Sequence, residues 1–445
     1  VTALSLESLR SAMEGVYASI MATLDEEGMP NVSMISQVHY VDPQHVALSY
    51  QFFNKTRANL MATRMAAVQI ADPETFAQYR LDLDYIETRT EGPIFETMKA
   101  KLAGIASHHG MDGVFRLLGA DIFSVRSIEP VAGHAIPPRP VPRPLLAATR
   151  ATCAAMDACT DLDDLLDAAV VTLHDRFDIS NTMVLMVGDG ARRLFTVASH
   201  GYPRSGIGSE VAFGEGIIGV AAREGVPIRI CHMTSDYGYG ASISETARAA
   251  GLVAGPGRQI PFPGLTEPGS QIALPLMSGT DCIGVLFAET PEPMRFDFEM
   301  EDALATCAAH LALRIALLQR DEPEADDPED TAPPPVSGGV ALRFHPLDQS
   351  VFLDNDYLIK GVAGAILWRL ARQHAETGRT DFTTRELRLD GSLRLPAHAE
   401  NLDARLILLR KRLEERNACL RIDKTGRGRF RLNVLCGLTL VEITD

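Results

Sequence analysis

The chain has 445 residues, of which 46% are hydrophobic and 22% charged, and its formal net charge is −16. That length suits about three domains of ordinary size with the composition of soluble globular protein. No apolar run reaches the roughly eighteen residues of a membrane-spanning helix, which excludes a helical membrane protein. Seven scattered cysteines, at 153, 159, 231, 282, 307, 419 and 436, include no CxxC pair. They are expected to be reduced thiols in the cytoplasm rather than a disulfide framework.

Two stretches punctuate the chain. "AIPPRPVPRPL" (135–145) is a stiff proline-rich connector, and "DEPEADDPEDTAPPPVSGG" (321–339) has the composition of a solvated acidic linker. The segments expected to fold are therefore 1–134, 146–320 and 340–445. Charge is unequal among them. Residues 340–445 hold eighteen Lys/Arg against fourteen Asp/Glu, so the last segment is basic in an acidic protein.

The first segment opens on "VTALSLESLRSAMEGVY", an amphipathic helix that lacks the basic and apolar regions of a signal peptide. Strand-period alternation runs from "YASIMATL" through "HVALSY", with turns at "DEEG" and "DPQ". Strands filling the first half of a segment this size predict a small barrel or sandwich. "QFFNKTRANL" then gathers Gln51, Asn54, Lys55, Thr56, Arg57 and Asn59 at a strand-to-helix junction. Donors and cations at a helix start suit an anion, most simply a phosphate; the alternative is an ordinary helix cap with surface charges. No spacing marks His39, His45 or His108 as a catalytic base, and no Ser-His-Asp signature or metal triad occurs, so no catalytic residue is assigned.

"TLDEEGMPNVSMIS", "NKTRANL" and "GADIFSVRSIEPV" together resemble the pyridoxamine 5′-phosphate oxidase-like split barrels, a dimeric FMN-binding family. The resemblance implies Lys55, Thr56 and Asn59 at a flavin phosphate, and Gln51 and Ser36 nearer the ring. FMN is the implied cofactor; haem, deazaflavin or no ligand are the alternatives such barrels allow. Oxidation of vitamin B6 itself is not expected. The family's closing Arg- and Trp-containing stretch is missing, and the one tryptophan, Trp368, lies in the last segment.

In the middle segment, "NTMVLMVGDGARRLFTVASHGYP" predicts strand, glycine turn and strand; a loop, a short helix and a strand follow in "FGEGIIGVAAREGVPIRI". "GSQIALPLMSGTDCIGVLFAETP" predicts a hairpin and "FDFEMEDALATCAAHLALRIALLQR" a closing amphipathic helix. "GEGIIG" lacks the Lys-Ser/Thr of a phosphate loop, and its glycines are read as turn formers. Cys231, His232 and Met233 are weak candidates for a metal or haem. Cys307 and His310 share a helical face, as core or dimer seam. Nearly the whole segment resembles a GAF domain, through "GEGIIG", "SQIALPL", "CIGVLFAE" and the last helix. Such a fold implies a sensor without naming its ligand, and the excursion 231–264 falls where such domains carry a lid.

In the last segment, "VALRFHPLDQSVFLDN" predicts a hairpin and "GVAGAILWRLARQHAETG" a helix ending at Gly378. Thr383 or Thr384 should cap a short helix. Leu402, Leu406, Leu409 and Leu413 form one buried stripe of a third. "CLRIDKTGRGRFRLNV" predicts a second hairpin with its tip at "TGRG". Nine Lys/Arg fall between 409 and 432. "LRKRL" and "KTGRGRFRL" resemble the recognition helix and wing of the winged-helix effector domains of response regulators. The resemblance implies contacts to double-stranded DNA from Arg405, Arg410, Lys411 and Arg412 on the helix, and from Lys424, Arg427 and Arg429 on the wing. Ile407 and Leu408, at positions usually polar in that family, either read thymine methyls or pack on protein.

The expected fold class is thus multidomain α+β: split β-barrel, GAF sensor domain and C-terminal winged helix. The expected function is a ligand- or redox-responsive one-component transcription regulator, homodimeric and cytoplasmic. A flavin-dependent oxidoreductase with regulatory domains, and a dimeric scaffold that binds no DNA, are the alternatives.

Overall fold

The computed structural model describes residues 4–13, 19–51, 54–73, 75–92, 94–99, 102, 117–137, 144–188, 192–230, 260–320, 339–393, 402–416, 419–426 and 428–443. His108, Cys231, His232, Met233, Arg427, most of the excursion 231–264 and nearly all of the acidic linker lie outside the described residues.

After a 3-10 turn at Glu7–Met13, the first segment forms strands β1 (Ser19–Leu24), β2 (Pro30–Ile35), β3 (Val38–Asp42), β4 (His45–Tyr50), β5 (Met65–Ala71), β6 (Gln78–Arg89) and β7 (Gly119–Pro130). Their order in the sheet is β2-β1-β5-β6-β7-β4-β3, and every pairing is antiparallel. β2 returns close to β4, so the sheet curls around its own core. Met21, Ile35, Leu48, Val68, Leu81, Leu83 and Phe123 fill that core, with Leu60 of helix α1 (Asn54–Thr63) across one end. The 3-10 turn at Glu7–Met13 falls where an amphipathic helix was expected; Leu9, Ala12 and Met13 supply its buried side.

The second segment packs helices on both faces of a six-stranded sheet, β10-β9-β8-β13-β12-β11. Its strands are β8 (Asn181–Val187), β9 (Arg193–His200), β10 (Glu210–Ala212), β11 (Ile228–Ile230), β12 (Ser270–Ser278) and β13 (Asp281–Thr290). Helices α2 (Leu145–Asp157), α3 (Leu162–Phe177) and α5 (Phe298–Arg320) bury Met156, Leu165, Leu173, Leu304 and Leu311 in the core on one face. The short α4 (Gly216–Glu224) covers the other, around Ile217, Val220 and Phe287. The "GEGIIG" glycines are structural, as read. Gly214 has φ +87°, and a Cβ at Gly219 would stand 2.1 Å from the Ala212 carbonyl oxygen, so α4 approaches β10 only with glycine there.

The third segment begins with β14 (Gly339–His345), β15 (Ser350–Leu353) and β16 (Asp356–Ile359), an antiparallel meander. Helices α6 (Gly361–Thr377), α7 (Thr384–Leu389) and α8 (Leu402–Glu415) follow, then the hairpin β18 (Leu420–Gly426)–β19 (Arg429–Val434). Gly378 closes α6 in the left-handed region, and Thr383 caps α7 through a reciprocal box with Glu386. A short strand β17 (Asp381–Thr383) pairs with β19. The last strand, β20 (Gly437–Glu442), had no distinct sequence signal and pairs parallel to β14. Trp368 is buried and stacks on Phe344 at 5.0 Å.

One cysteine expectation is corrected. Cys419 and Cys436 form a disulfide, with Cα atoms 5.7 Å apart. The β18–β19 pairing brings them together: Leu420 lies opposite Val434, and the Leu435 N–H donates to the Cys419 carbonyl. A separation of 17 residues gave no motif to read. Cys153, Cys159, Cys282 and Cys307 are free thiols.

Candidate functional site

The barrel junction divides its predicted anion-binding residues between inside and outside. Lys55 is exposed at the start of α1 and makes no ion pair among the described residues, and Ser36 is exposed too. Thr56 and Asn59 are buried; the Thr56 hydroxyl accepts from Asn31 Nδ2 at 2.8 Å, and Asn59 Nδ2 reaches the Thr23 hydroxyl at 3.3 Å. Arg57 is held by Asp121 at 2.5 Å and by the Thr88 hydroxyl at 2.7 Å, beneath the Tyr50 ring. Burial pulls the Arg57 pKa down, but the Asp121 carboxylate outweighs it and keeps the guanidinium above its usual value. Gln51 is buried, and its Nε2 has no hydrogen-bond partner among the described residues. Of Asn54 only the backbone at the helix start is described. The crevice lined by Tyr50, Thr56, Arg57 and Asp121 has water-sized room, about 10 Å³. The junction therefore suits a phosphate at Lys55 and the first N–H groups of α1, and the crevice beside it is, among the described residues, smaller than a flavin ring.

The second candidate is the basic helix and hairpin. Leu402, Leu406, Leu409 and Leu413 are buried as predicted. A second face of α8 is buried as well: Ala404 and Leu408 are 0% and 3% exposed. What covers that face is the second segment. The Arg405 guanidinium lies 4.0 Å from the centroid of the Phe195 ring on β9. Arg410 pairs with Asp163, and Lys411 with Asp163 at 3.3 Å and Asp167 at 2.5 Å. Lys424 on the hairpin pairs with Asp161 at 2.9 Å. Arg412 departs from its predicted outward role. It is 6% exposed, donates to the Leu358 carbonyl at 3.2 Å and pairs with Glu415 at 2.7 Å. The resemblance that turned it towards DNA could not show β16, which packs against this helix. Arg429, at the hairpin tip, is half-buried.

Sequence reasoning missed the acidic partner. "DLDD" (161–164) opens α3, where carboxylates suit the helix dipole, and Asp161 caps the helix by accepting from the Asp164 N–H at 3.0 Å. Burial pushes the Asp161 carboxyl up, but the Asp164 N–H and the Lys424 ammonium outweigh it and hold it low. Asp164 is pushed up, first by the charge of Asp161. The run was visible as an acidic helix start, yet nothing local linked it to cations some 250 residues away.

Two other groups are buried in the second segment. Glu289 on β13 accepts from Gln271 Nε2 and from the Leu265 N–H, both at 2.8 Å, and burial raises its pKa. Cys307 is wholly buried beside Cys153, and burial pushes its thiol up to about 12. His310 meets Asp157 at 3.0 Å, so the two residues are a core thiol and a surface pair. Among the described residues no group of three or more His, Cys, Asp or Glu is placed to hold a metal, and no helix is long and apolar enough to cross a membrane.

Residues 161–315 match the GAF domain family, so the chain carries a GAF domain, a sensory module, at its centre. No curated protein matches the chain. Among solved structures it is similar to an FMN-binding protein from Syntrophomonas wolfei subsp. wolfei (21% identity, 29% of this chain and 86% of that one, TM-score 0.25). It is also similar to the GAF domain of an Acinetobacter phosphoenolpyruvate-protein phosphotransferase (21% identity, 39% and 92%, TM-score 0.30). A third likeness is to HupZ from Group A Streptococcus (22% identity, 28% and 98%, TM-score 0.23).

Proposed function

We propose that the chain is a one-component transcription regulator in which the GAF domain and the N-terminal barrel are sensory modules and the C-terminal segment is a winged helix that binds double-stranded DNA. The observation that carries this reading is the arrangement of α7, α8 and the β18–β19 hairpin. The Thr384 N–H donates to the Gly428 carbonyl at the hairpin tip at 2.9 Å, which ties α7 to the wing. Helix α8 lies against β18, and Arg410 of the helix lines one cavity with Lys424 and Arg429 of the hairpin. A helix for the major groove beside a cationic wing for phosphates is the division of labour that duplex recognition needs.

The barrel is proposed to take a phosphate-bearing flavin at Lys55 and the start of α1, or a haem, with a second protomer completing the ring site. A bound flavin would supply a redox response. The protein's own part is to hold the phosphate with the Lys55 ammonium and to keep Arg57 neutralised by Asp121. Two copies would pair through the barrels and present two winged helices to related half-sites.

The test is binding of the full chain to a pool of genomic fragments at two salt concentrations. Arg429→Ala should weaken all sequences alike and lower the salt slope by about one unit. The reading fails if neither the native chain nor the charge-reversed form described below has affinity for duplex DNA at low salt.

A further inference from the structure

A cavity of about 450 Å³ separates the start of α3 from α7, α8 and the wing. Asp161 and Asp163 line one side; Arg385, Arg410, Lys424 and Arg429 line the other. The surfaces on either side of this gap meet around its edge. Three carboxylates of α3, Asp161, Asp163 and Asp167, take the cations of Lys424, Arg410 and Lys411. Each of those cations is one that the DNA-binding reading assigns to the duplex.

The contact is shaped as well as charged. A Cβ on Gly188 would come within 3.0 Å of Arg405 Nη2, so the bare glycine leaves room for the guanidinium to lie on Phe195. A Cβ on Gly208, which has φ +85°, would come within 3.3 Å of Leu408 Cδ1. Leu408 thus packs over a glycine of the GAF domain instead of facing solvent. Ser205 donates to Glu415 at the far end of the same helix. The apolar core runs without a break from Leu173 and Val197 to Leu408 and Leu409. A groove-reading helix needs its outer face open, and here the GAF domain covers it from Arg405 to Glu415, about three turns.

We propose that this is a self-inhibited state: the GAF domain presents Asp161, Asp163 and Asp167 to Lys424, Arg410 and Lys411 in place of DNA phosphates, and the winged helix binds DNA only after it leaves that surface. The proposal rests on the DNA-binding reading and adds its regulation. A closed state that dominates reduces apparent affinity by the fraction of molecules that are open. Anything that weakens the α3–α8 contact without touching the winged helix should therefore raise affinity.

The test compares the full-length native chain with Asp163→Lys/Asp167→Lys by fluorescence anisotropy on a random 30-base-pair duplex (about three helical turns) at low salt. Added positive charge alone attracts DNA, so Asp175→Lys/Glu299→Lys, at exposed positions away from the contact, is the charge control. The α3 variant should bind about tenfold tighter than both, and Asp163→Asn/Asp167→Asn should move the same way if the reversal compromises folding. In parallel, carbodiimide coupling of the native chain should join Lys411 to Asp163 or Asp167, and Lys424 to Asp161, with yields that fall when duplex is added. If the α3 variants bind DNA no tighter than the charge control, or if those couplings do not form, self-inhibition is overturned while DNA binding stands. If no form binds DNA at all, the DNA-binding reading has failed and the proposal falls with it.

Discussion

Glu289 is a carboxyl group with no exposed surface, and its environment is matched to the neutral form more than to the charged one. Two donors, Gln271 Nε2 and the Leu265 N–H, stabilise the carboxylate, yet burial outweighs them and raises the pKa above 4.5. An acid whose pKa is higher in the folded state binds its proton more tightly there. Its contribution to stability is therefore complete below the unfolded carboxyl pKa and is lost as pH rises through the folded value. Thermal unfolding of the native chain should show this as a decline beginning above about pH 4.5, and Glu289→Gln, neutral at every pH, should flatten it. An unchanged pH profile in the variant would mean that Glu289 is ionised without penalty. Nothing in "CIGVLFAET" marks this residue: the hairpin pattern placed it on a strand, but only the neighbouring β12 and the segment 262–265 decide that its side chain is sealed. The junction at Lys55 was legible because a helix start and its donors are local. The burial of Thr56 and Asn59 and the pairing of Arg57 were not, because β1, β2 and β7 supply their partners from up to 64 residues away.

At the scale of elements, sequence periodicity and turn chemistry located β8, β9, α4, β11, the β12–β13 hairpin and α5 in the second segment, and the β14–β15 hairpin, α6, α7, α8 and the β18–β19 hairpin in the third, since each signal sits within one element. The stops were equally local: Gly378 beyond α6, the Thr383–Glu386 box before α7, and the glycines of the β18–β19 hairpin. The strand β20 escaped because it is largely exposed along its length and gains its identity from pairing with β14. Helix α8 shows the limit more sharply. Its leucine stripe was plain, but the second buried face, Ala404 and Leu408, follows from a domain contact that periodicity cannot show. The cap of α7 offers a clean check. Thr383→Ala removes the acceptor for the Glu386 N–H at 3.1 Å and should cost about 1 kcal/mol in urea unfolding of the full chain, with an unchanged m-value. Thr383→Ser should recover most of it. A loss no larger than a few tenths would show that α7 is fixed by its tie to the β18–β19 hairpin and not by its cap.

For the molecule as a whole, the three segments are joined by contacts of different character. Arg10 on the barrel lies 4.4 Å from the ring centroid of Phe298 at the start of α5 and 5.2 Å from that of Tyr40, and pairs with Asp302 at 3.7 Å. The GAF–α8 contact is both charged and apolar. Among the described residues an apolar surface of the barrel remains uncovered. On β1 and β2, Ile20 lies opposite Met34, and Ala22 opposite Val32, which puts these side chains on the outer face of the sheet. Val32 and Met34 are each 67% exposed, and Ile20, Leu24 and Met65 more than 40%. Isolated aliphatics on a surface need no explanation, but five on three adjacent strands form a continuous patch of the kind that marks an interface. A face on an outer strand of the same sheet in every copy is suited to two-fold pairing with itself. Leu146 on α2 and Leu313 and Leu317 on α5, also exposed, offer a second seam of the same kind. The expected outcome is a homodimer in light scattering at micromolar concentration, and Val32→Asp/Met34→Asp should convert it to monomer. Because both side chains already face solvent, the substitutions should leave the unfolding transition of the protomer within about 0.5 kcal/mol of the native value. If the variant stays dimeric, the helical seam carries the assembly and Leu313→Asp should be the change that dissolves it. A native chain that is monomeric at those concentrations would leave both patches without a second copy and would remove the paired half-sites from the account of DNA binding.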